Sequence, residues 1–502
     1  MKKLFFTLAL TTVLGFASFS QQIINGIRVS YYVTDAQIEF INQHYNYVIT
    51  PYLSDEIRNK IVGPELLLYR SIQGVWENFS QFDYDFINSN ENMFCHTDSL
   101  IQDTSTRILT IWGSWLMDGN DFVDPDEPDA LHHWINYYAI TASGQVITFS
   151  YDGLFIDSAG HKIGPGALYG KMPWDYSDTA WRNGRYAALA YIKSKLPDNL
   201  VIFNGLHSDN GADSSLNFTD GGMWEDFTYD INDGHYKGID KWLKAINCME
   251  SNHDSSRLVL VIKKPELTND IQARVFSTAS FLLISNQNTA LSLSDYAQQN
   301  TLQYYPEYEI DLGAAVSDLE ITDDSLFIRT FEKGKVVVNP NATETKNFET
   351  EKTYYKIIPS GGGVIDTTLQ YDGFLTYELC DASTVTISPV SALILMDTAA
   401  AGQKEHKSNI DFLSVKNVYP NPFFQQVNIN LHVSKTEPVK VAVYNIQGAE
   451  IQRLFEGTLP KGNHHFKWNG RLSNNQTAAP GLYLLKVSTN GRSIVKKLLK
   501  AN

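Results

Sequence analysis

From about residue 28 to about residue 300, short apolar runs alternate with amphipathic stretches. Parallel βα units produce this pattern, because strands covered on both faces read as unbroken apolar runs. The strands are expected at Tyr47–Thr50, Leu66–Tyr69 with Arg70 at its end, Asn92–Cys95, Tyr151–Gly160, Leu200–Asn204, Gly222–Phe227, Arg257–Lys263 and Thr289–Leu293. Helices are expected to open at Ser54, a capping residue followed by Asp55 and Glu56, and to cover Asp129–Ala139, Ala180–Leu196 and Asn269–Ile284. A further helix carries Ile239, Trp242, Leu243, Ile246 and Met249 at helical spacing. Eight units in this length predict an α/β TIM barrel over residues 21–308. A doubly wound open sheet gives the same alternation, but no Gly-rich dinucleotide loop follows an early strand.

From residue 309 the period shortens to two, with strands at Ser325–Arg329, Lys335–Asn339, Thr353–Ile358, Phe374–Leu379, Thr384–Ile387 and Ala392–Met396. Residues 309–397 therefore read as a small β-sandwich and 398–412 as a linker. Residues 413–502 read as a second all-β domain, an Ig-like sandwich, with strands at Val427–His432, Lys440–Tyr444, His464–Trp468 and Tyr483–Ser488. A basic strand with Lys496, Lys497 and Lys500 ends it.

Length and charge agree with this division. The 502 residues suit about three domains. A formal charge of −16 disfavours nucleic acid and anionic membranes as partners. Residues 1–20, with Lys2 and Lys3 before an apolar run, read as a secretory signal peptide. No later stretch is apolar for long enough to span a membrane. Cys95, Cys248 and Cys380 have neither disulfide nor metal spacing and read as buried small hydrophobes.

Two strand-end carboxylates, Asp157 on the fourth strand and Glu225 on the sixth, would face each other across the barrel mouth. Glycosidic cleavage needs such a pair, one protonated and one ionised. Glu225, between Trp224 and Phe227 in sequence, suits a proton donor whose pKa is raised by apolar neighbours. The structural alternative has Asp157 capping a loop and Glu225 paired with Arg70 or Lys263. Arg70, Asn204, His207, Lys263 and Asp295 are further candidates for the rim, and Trp112, Trp115 and Trp174 for stacking against sugar rings. Asp152, before Gly153, reads as a turn residue at the far end. The acidic run Asp118, Asp121, Asp124, Asp126 and Glu127 lacks EF-hand spacing and reads as a solvated loop. Neither His132-His133 nor His464-His465 reads as a metal site, and no motif calls for a cofactor.

Two resemblances rest on these residues. Tyr419-Pro420-Asn421-Pro422-Phe423, Val443-Tyr444-Asn445-Ile446-Gln447-Gly448, Trp468-Asn469-Gly470 and Pro480-Gly481-Leu482-Tyr483, before a basic last strand, resemble the type A sorting domain of the Bacteroidetes type IX secretion system. The resemblance implies Sec export, recognition by the outer-membrane machinery and a secreted or surface location. Residues Leu66–Arg70, Asp124-Pro125, Asp152–Asp157, Asn204-Gly205 and Glu225, with the phrase Arg329–Pro340, resemble the hypothetical glycosyl-hydrolase-like barrels, family fifteen of that series. That resemblance implies a carbohydrate substrate, Asp157 as nucleophile or base and Glu225 as acid. A glycan-binding barrel without catalysis is the alternative.

Overall fold

The computed structural model describes residues 22–25, 33–78, 81–206, 213–369, 371–401, 413–433, 436–445, 447–489 and 492–501. The expected signal peptide, most of the linker, His207 and Ile446 lie outside the described residues. The chain divides into two compact units after His406.

The first unit is built on a closed barrel of eight parallel strands. In chain order these are β1 (Gln22–Asn25), β2 (Tyr47–Thr50), β3 (Glu65–Ser71), β4 (Gly153–Asp157), β5 (Leu200–Asn204), β6 (Gly221–Glu225), β7 (Arg257–Lys264) and β8 (Thr289–Asp295). One expected strand was misplaced. Asn92–Cys95 is no part of the barrel: Glu91–Met93 is a single 3-10 turn, and Phe94 makes only an isolated bridge to Met117. Its apolar residues Met93 and Phe94 are instead buried in the long excursion between β3 and the helix Trp134–Thr148. The missing strand is β1, which pairs with both β8 and β2 and closes the barrel. Its four residues follow directly on the signal-like segment, so no separate apolar run announces them. Losing one strand and gaining another keeps Asp157 on the fourth and Glu225 on the sixth.

The helices follow their caps. Ser54 accepts a hydrogen bond from the Ile57 amide at the head of Asp55–Arg58, and Ser177 accepts from Ala180 at the head of Asp178–Lys195. The helices Ile239–Asn252 and Ile271–Leu282 follow β6 and β7, whereas among the described residues β5 is followed by a 3-10 stretch, Asp213–Phe218. Along each strand alternate side chains divide between two layers. Tyr47, Ile49, Leu67, Phe155, Ile202, Met223, Val259 and Val261 fill the barrel, while Leu66, Leu68, Leu154, Ile156, Trp224 and Leu260 join the larger core with the helices. Each large apolar side chain so buried contributes about 1.5–3 kcal/mol. Gly153 opens β4 because the Leu200 carbonyl approaches it so closely that a Cβ would lie 2.3 Å from the oxygen.

A six-stranded antiparallel sheet completes this unit, in the order Glu320–Ile321, Phe327–Phe331, Gly334–Asn339, Ser391–Asp397, Tyr354–Ser360, Phe374–Cys380. Lys346–Glu349 and Thr384–Ile387 pair separately. Trp242 of the barrel packs edge-on to Phe327, with ring centroids 4.8 Å apart. Arg329 donates to the carbonyls of Leu283 and Ser285 at the end of a barrel helix.

The second unit is a sandwich of a three-stranded and a four-stranded sheet. Beyond the expected strands it contains Leu413–Tyr419 and Glu450–Leu459. The aromatic residues of three sequence motifs meet in its core: Trp468 packs against Phe423 at 5.2 Å and Tyr483 at 5.1 Å. The Asn421 side chain donates to the Lys497 carbonyl and accepts from the Leu499 amide, tying the first motif to the basic last strand. Asn445 accepts from the amides of Gln447 and Ala449, and Gly448 takes the positive φ of 82° that the turn requires.

Candidate active site

The barrel brings four polar side chains to the C-terminal ends of consecutive strands, the face at which such barrels place their chemistry. Asp157 ends β4, Asn204 ends β5, Glu225 ends β6, and Lys263 lies one residue from the end of β7. All four share the inward parity of the barrel-filling residues two positions before them, Phe155, Ile202, Met223 and Val261.

Asn204 joins the two carboxylates. Its Nδ2 donates to Asp157 Oδ1 at 2.9 Å and to Glu225 Oε2 at 2.9 Å. Two oxygens each 2.9 Å from one nitrogen are separated by at most twice that distance, about 5.8 Å. Asp157 Oδ2 accepts from the Tyr69 hydroxyl at 2.5 Å and, more distantly, from the Ser158 hydroxyl at 3.4 Å. The Lys263 ammonium donates to Glu225 Oε1 in a short ion pair.

This pair overturns the expectation of a Glu225 held protonated by apolar neighbours. Burial does favour the neutral acid, but the Lys263 charge and hydrogen bond, with Asn204, outweigh it and hold the carboxyl below the usual glutamate range. Trp224 belongs to the outward layer, one residue out of phase with Glu225, so strand alternation turns its ring away from the site. Burial likewise opposes the charge of Lys263, yet Glu225, Asp157 and Asp226 hold its ammonium above the usual range.

Each carboxylate is followed by a non-glycine residue in the left-handed region, Ser158 at φ 57° and Asp226 at φ 58°. Such conformations cost of order 1 kcal/mol and end a strand abruptly. Asp226 is itself half-buried, with Oδ1 lacking a hydrogen-bond partner among the described residues and Oδ2 4.0 Å from Lys237. Burial and the neighbouring Glu225 charge push its carboxyl up to about 7.

The remaining candidates are dispersed. Arg70 does not reach the mouth: it pairs in register with outward-facing Ile156, is 1% exposed, and donates from Nε to Gln145 on the helix Trp134–Thr148. Tyr69, one residue earlier, takes the inward position and was missed because it reads as the end of an apolar run. Asp295 also stands out of phase with the lumen, its carboxylate accepting from the amides of Glu266, Thr268 and Ala297. Trp112 and Trp174 are exposed at 60% and 52%, in the loops after β3 and β4. Trp115 is half-buried and donates to Glu77. Asp152 accepts from the Leu66 amide at the opposite end of the barrel. The acidic run is only partly solvated, since Asp121 pairs with His133 and caps Trp134, and burial pushes Asp118 up to about 7.

An eight-stranded parallel barrel with a bridged carboxylate pair in its mouth defines a glycosidase-like barrel. The chain belongs to hypothetical glycosyl hydrolase family 15, which matches residues 67–335. Residues 417–501 match the secretion system C-terminal sorting domain, which marks the protein for type IX export to the cell surface or the medium. Among solved structures the chain is similar to the glycoside hydrolase domain of PelA from Pseudomonas aeruginosa, at 14% identity, 61% of this chain, 100% of that chain and a TM-score of 0.35. It is also similar to the maltogenic alpha-amylase AmyB from Thermotoga neapolitana, at 10% identity, 72% and 92% coverage and a TM-score of 0.40. A third is Ega3 from Aspergillus fumigatus in complex with galactosamine, at 8% identity, 59% and 98% coverage and a TM-score of 0.35. None of the curated proteins matches the chain.

Proposed function

We propose that the exported protein hydrolyses glycosidic bonds of an oligo- or polysaccharide with Asp157 and Glu225. The observation that carries this reading is the single amide of Asn204 bridging both carboxylates at the barrel mouth. Asp157 accepts hydrogen bonds on both oxygens, from Tyr69 and Asn204, which fixes its orientation for attack as the nucleophile. The two oxygens that share the Asn204 amide lie within about 5.8 Å of each other, which suits a carboxylate pair close enough for Asp157 to attack the anomeric carbon directly, as in retaining enzymes. Glu225 serves as the acid once a bound sugar draws Lys263 away and a proton takes its place. Exposed Trp112 and Trp174 then offer stacking surfaces for neighbouring sugar units.

The second reading, a glycan-binding barrel without catalysis, is favoured by the Lys263–Glu225 ion pair, because an ionised acid donates no proton. Incubation with a panel of defined oligosaccharides separates the two. Hydrolysis predicts new reducing ends, abolished in Asp157→Asn and in Glu225→Gln, with the first-formed anomer matching the substrate's. Glycan binding without release of reducing ends supports the second reading.

A further inference from the structure

The two compact units differ in the sign of their charge. Residues 407–502 carry 13 Lys and Arg against 4 Asp and Glu, a formal charge of +9 within a chain of −16. The acidic balance that disfavours anionic surfaces thus belongs to residues 1–406, and such an asymmetry points to an electrostatic partner for the basic unit.

One face of that unit joins its charge to apolar surface. In the four-stranded sheet, Gly481–Thr489 pairs with the edge strand Arg492–Lys500. Tyr483, Leu485, Val487 and Leu498 belong to the core, so strand alternation turns the residues between them outward. There Leu482 stands opposite Leu499, Leu484 opposite Lys497 and Lys486 opposite Val495. Leu482, Val495 and Leu499 are 42%, 50% and 46% exposed. Phe424, also exposed, flanks the same edge, because the Phe423 amide before it donates to the Leu499 carbonyl. The solvated face of a sheet is ordinarily polar, and edge lysines by themselves serve to discourage pairing. That role leaves the exposed apolar side chains unexplained. Lys486 and Lys497 are exposed, whereas Glu450 and Glu456 lie on the other edge strand, Glu450–Leu459, and are engaged by Lys440 and Arg453.

We propose that the outer face of these last two strands docks on an anionic phospholipid surface. Leu482, Val495 and Leu499 enter the boundary of the acyl chains, and Lys486 and Lys497 extend their ammoniums to the phosphates. A purely electrostatic partner would leave the apolar side chains in water, and a purely apolar one would strand the lysines. The inference is independent of glycoside cleavage, and its test involves no activity. The full chain should sediment with phosphatidylcholine vesicles containing about 30% phosphatidylglycerol, should not sediment with phosphatidylcholine alone, and should be released as salt rises. Lys486→Glu combined with Lys497→Glu should weaken binding about thirtyfold or more, and Leu499→Ser should weaken it as well. Melting curves check that these surface variants fold, and the comparison of the two vesicles needs no variant. Three results overturn the proposal: no binding to the anionic vesicles, binding that survives the double charge reversal, or binding indifferent to Leu499→Ser. Absence of vesicle binding, with export blocked by the same substitutions, would assign the face to a protein of the secretion machinery instead.

Discussion

Lys263 on β7 donates directly to Glu225 on the adjacent strand β6, and the longer carboxylate of the site is therefore ionised at rest. Lys263→Met removes the cation and leaves the burial, so the pKa of Glu225 rises. Where Glu225 donates the proton, activity is lost as Glu225 ionises, and the alkaline limb of the kcat/KM profile moves to higher pH in the variant. Where Glu225 works ionised, the acidic limb moves up instead. Profiles of wild type and variant on one cleaved oligosaccharide decide between the roles, and two unshifted limbs would exclude Glu225 from both.

Asn204 keeps two carboxylates within reach of one sugar linkage, and no other described residue bonds to both. Asn204→Leu should lower kcat about 10²-fold, the usual effect of deleting one preorganised donor at a reacting centre. Asn204→Asp places a third carboxylate between the pair and should be more damaging than the leucine. Steady-state kinetics and a melting curve for each variant check this. A leucine variant with undiminished kcat would mean that the bridge is an accident of packing.

The four rim residues were legible because each is a polar side chain ending an apolar run, which is where a barrel strand meets its mouth. Parity was the weaker guide. Leu66-Leu67-Leu68-Tyr69 is apolar on both faces, so nothing in the run tells that Tyr69 points inward and Arg70 outward. Asp295 failed for the same reason: it lies in register with Lys264, whereas Ser294 lies beside the inward Lys263. The charge state of Glu225 depends on a residue 38 positions away, so its sequence neighbours Trp224 and Phe227 misled. Strand β1 was hidden by its length and its position beside the signal-like segment.

Arg274 and Glu307 form a fully buried ion pair at 2.6 Å, and Arg274 also donates to the carbonyls of Thr268 and Gly361. The guanidinium thus ties a barrel helix to the loop between two strands of the accessory sheet. Arg274→Met leaves Glu307 buried without its cation and should destabilise the unit by about 3–5 kcal/mol. Arg274→Met combined with Glu307→Leu removes the stranded charge as well and should be the more stable of the two variants. Urea denaturation of the single and double variants measures the coupling, and additive losses would refute it.

Asp226 gives a pH dependence of opposite sign to that of an ordinary salt-bridged carboxylate. Its folded pKa of about 7 lies above the unfolded value of about 3.9, so the native state binds the extra proton. Stability is therefore fully present below the unfolded value and is lost as pH rises from about 4 toward 7. Asp226→Asn removes the titrating group and keeps a residue type that tolerates the left-handed backbone at this position. The variant should match wild type near pH 4 and exceed it above pH 7, by about 1–3 kcal/mol after allowance for the partial solvent access of the side chain. Chemical denaturation at pH 4.5, 6 and 8 follows the difference directly. A gap that narrows with rising pH would show that the ion pair with Lys237, 4.0 Å away, dominates over burial and the charge of Glu225.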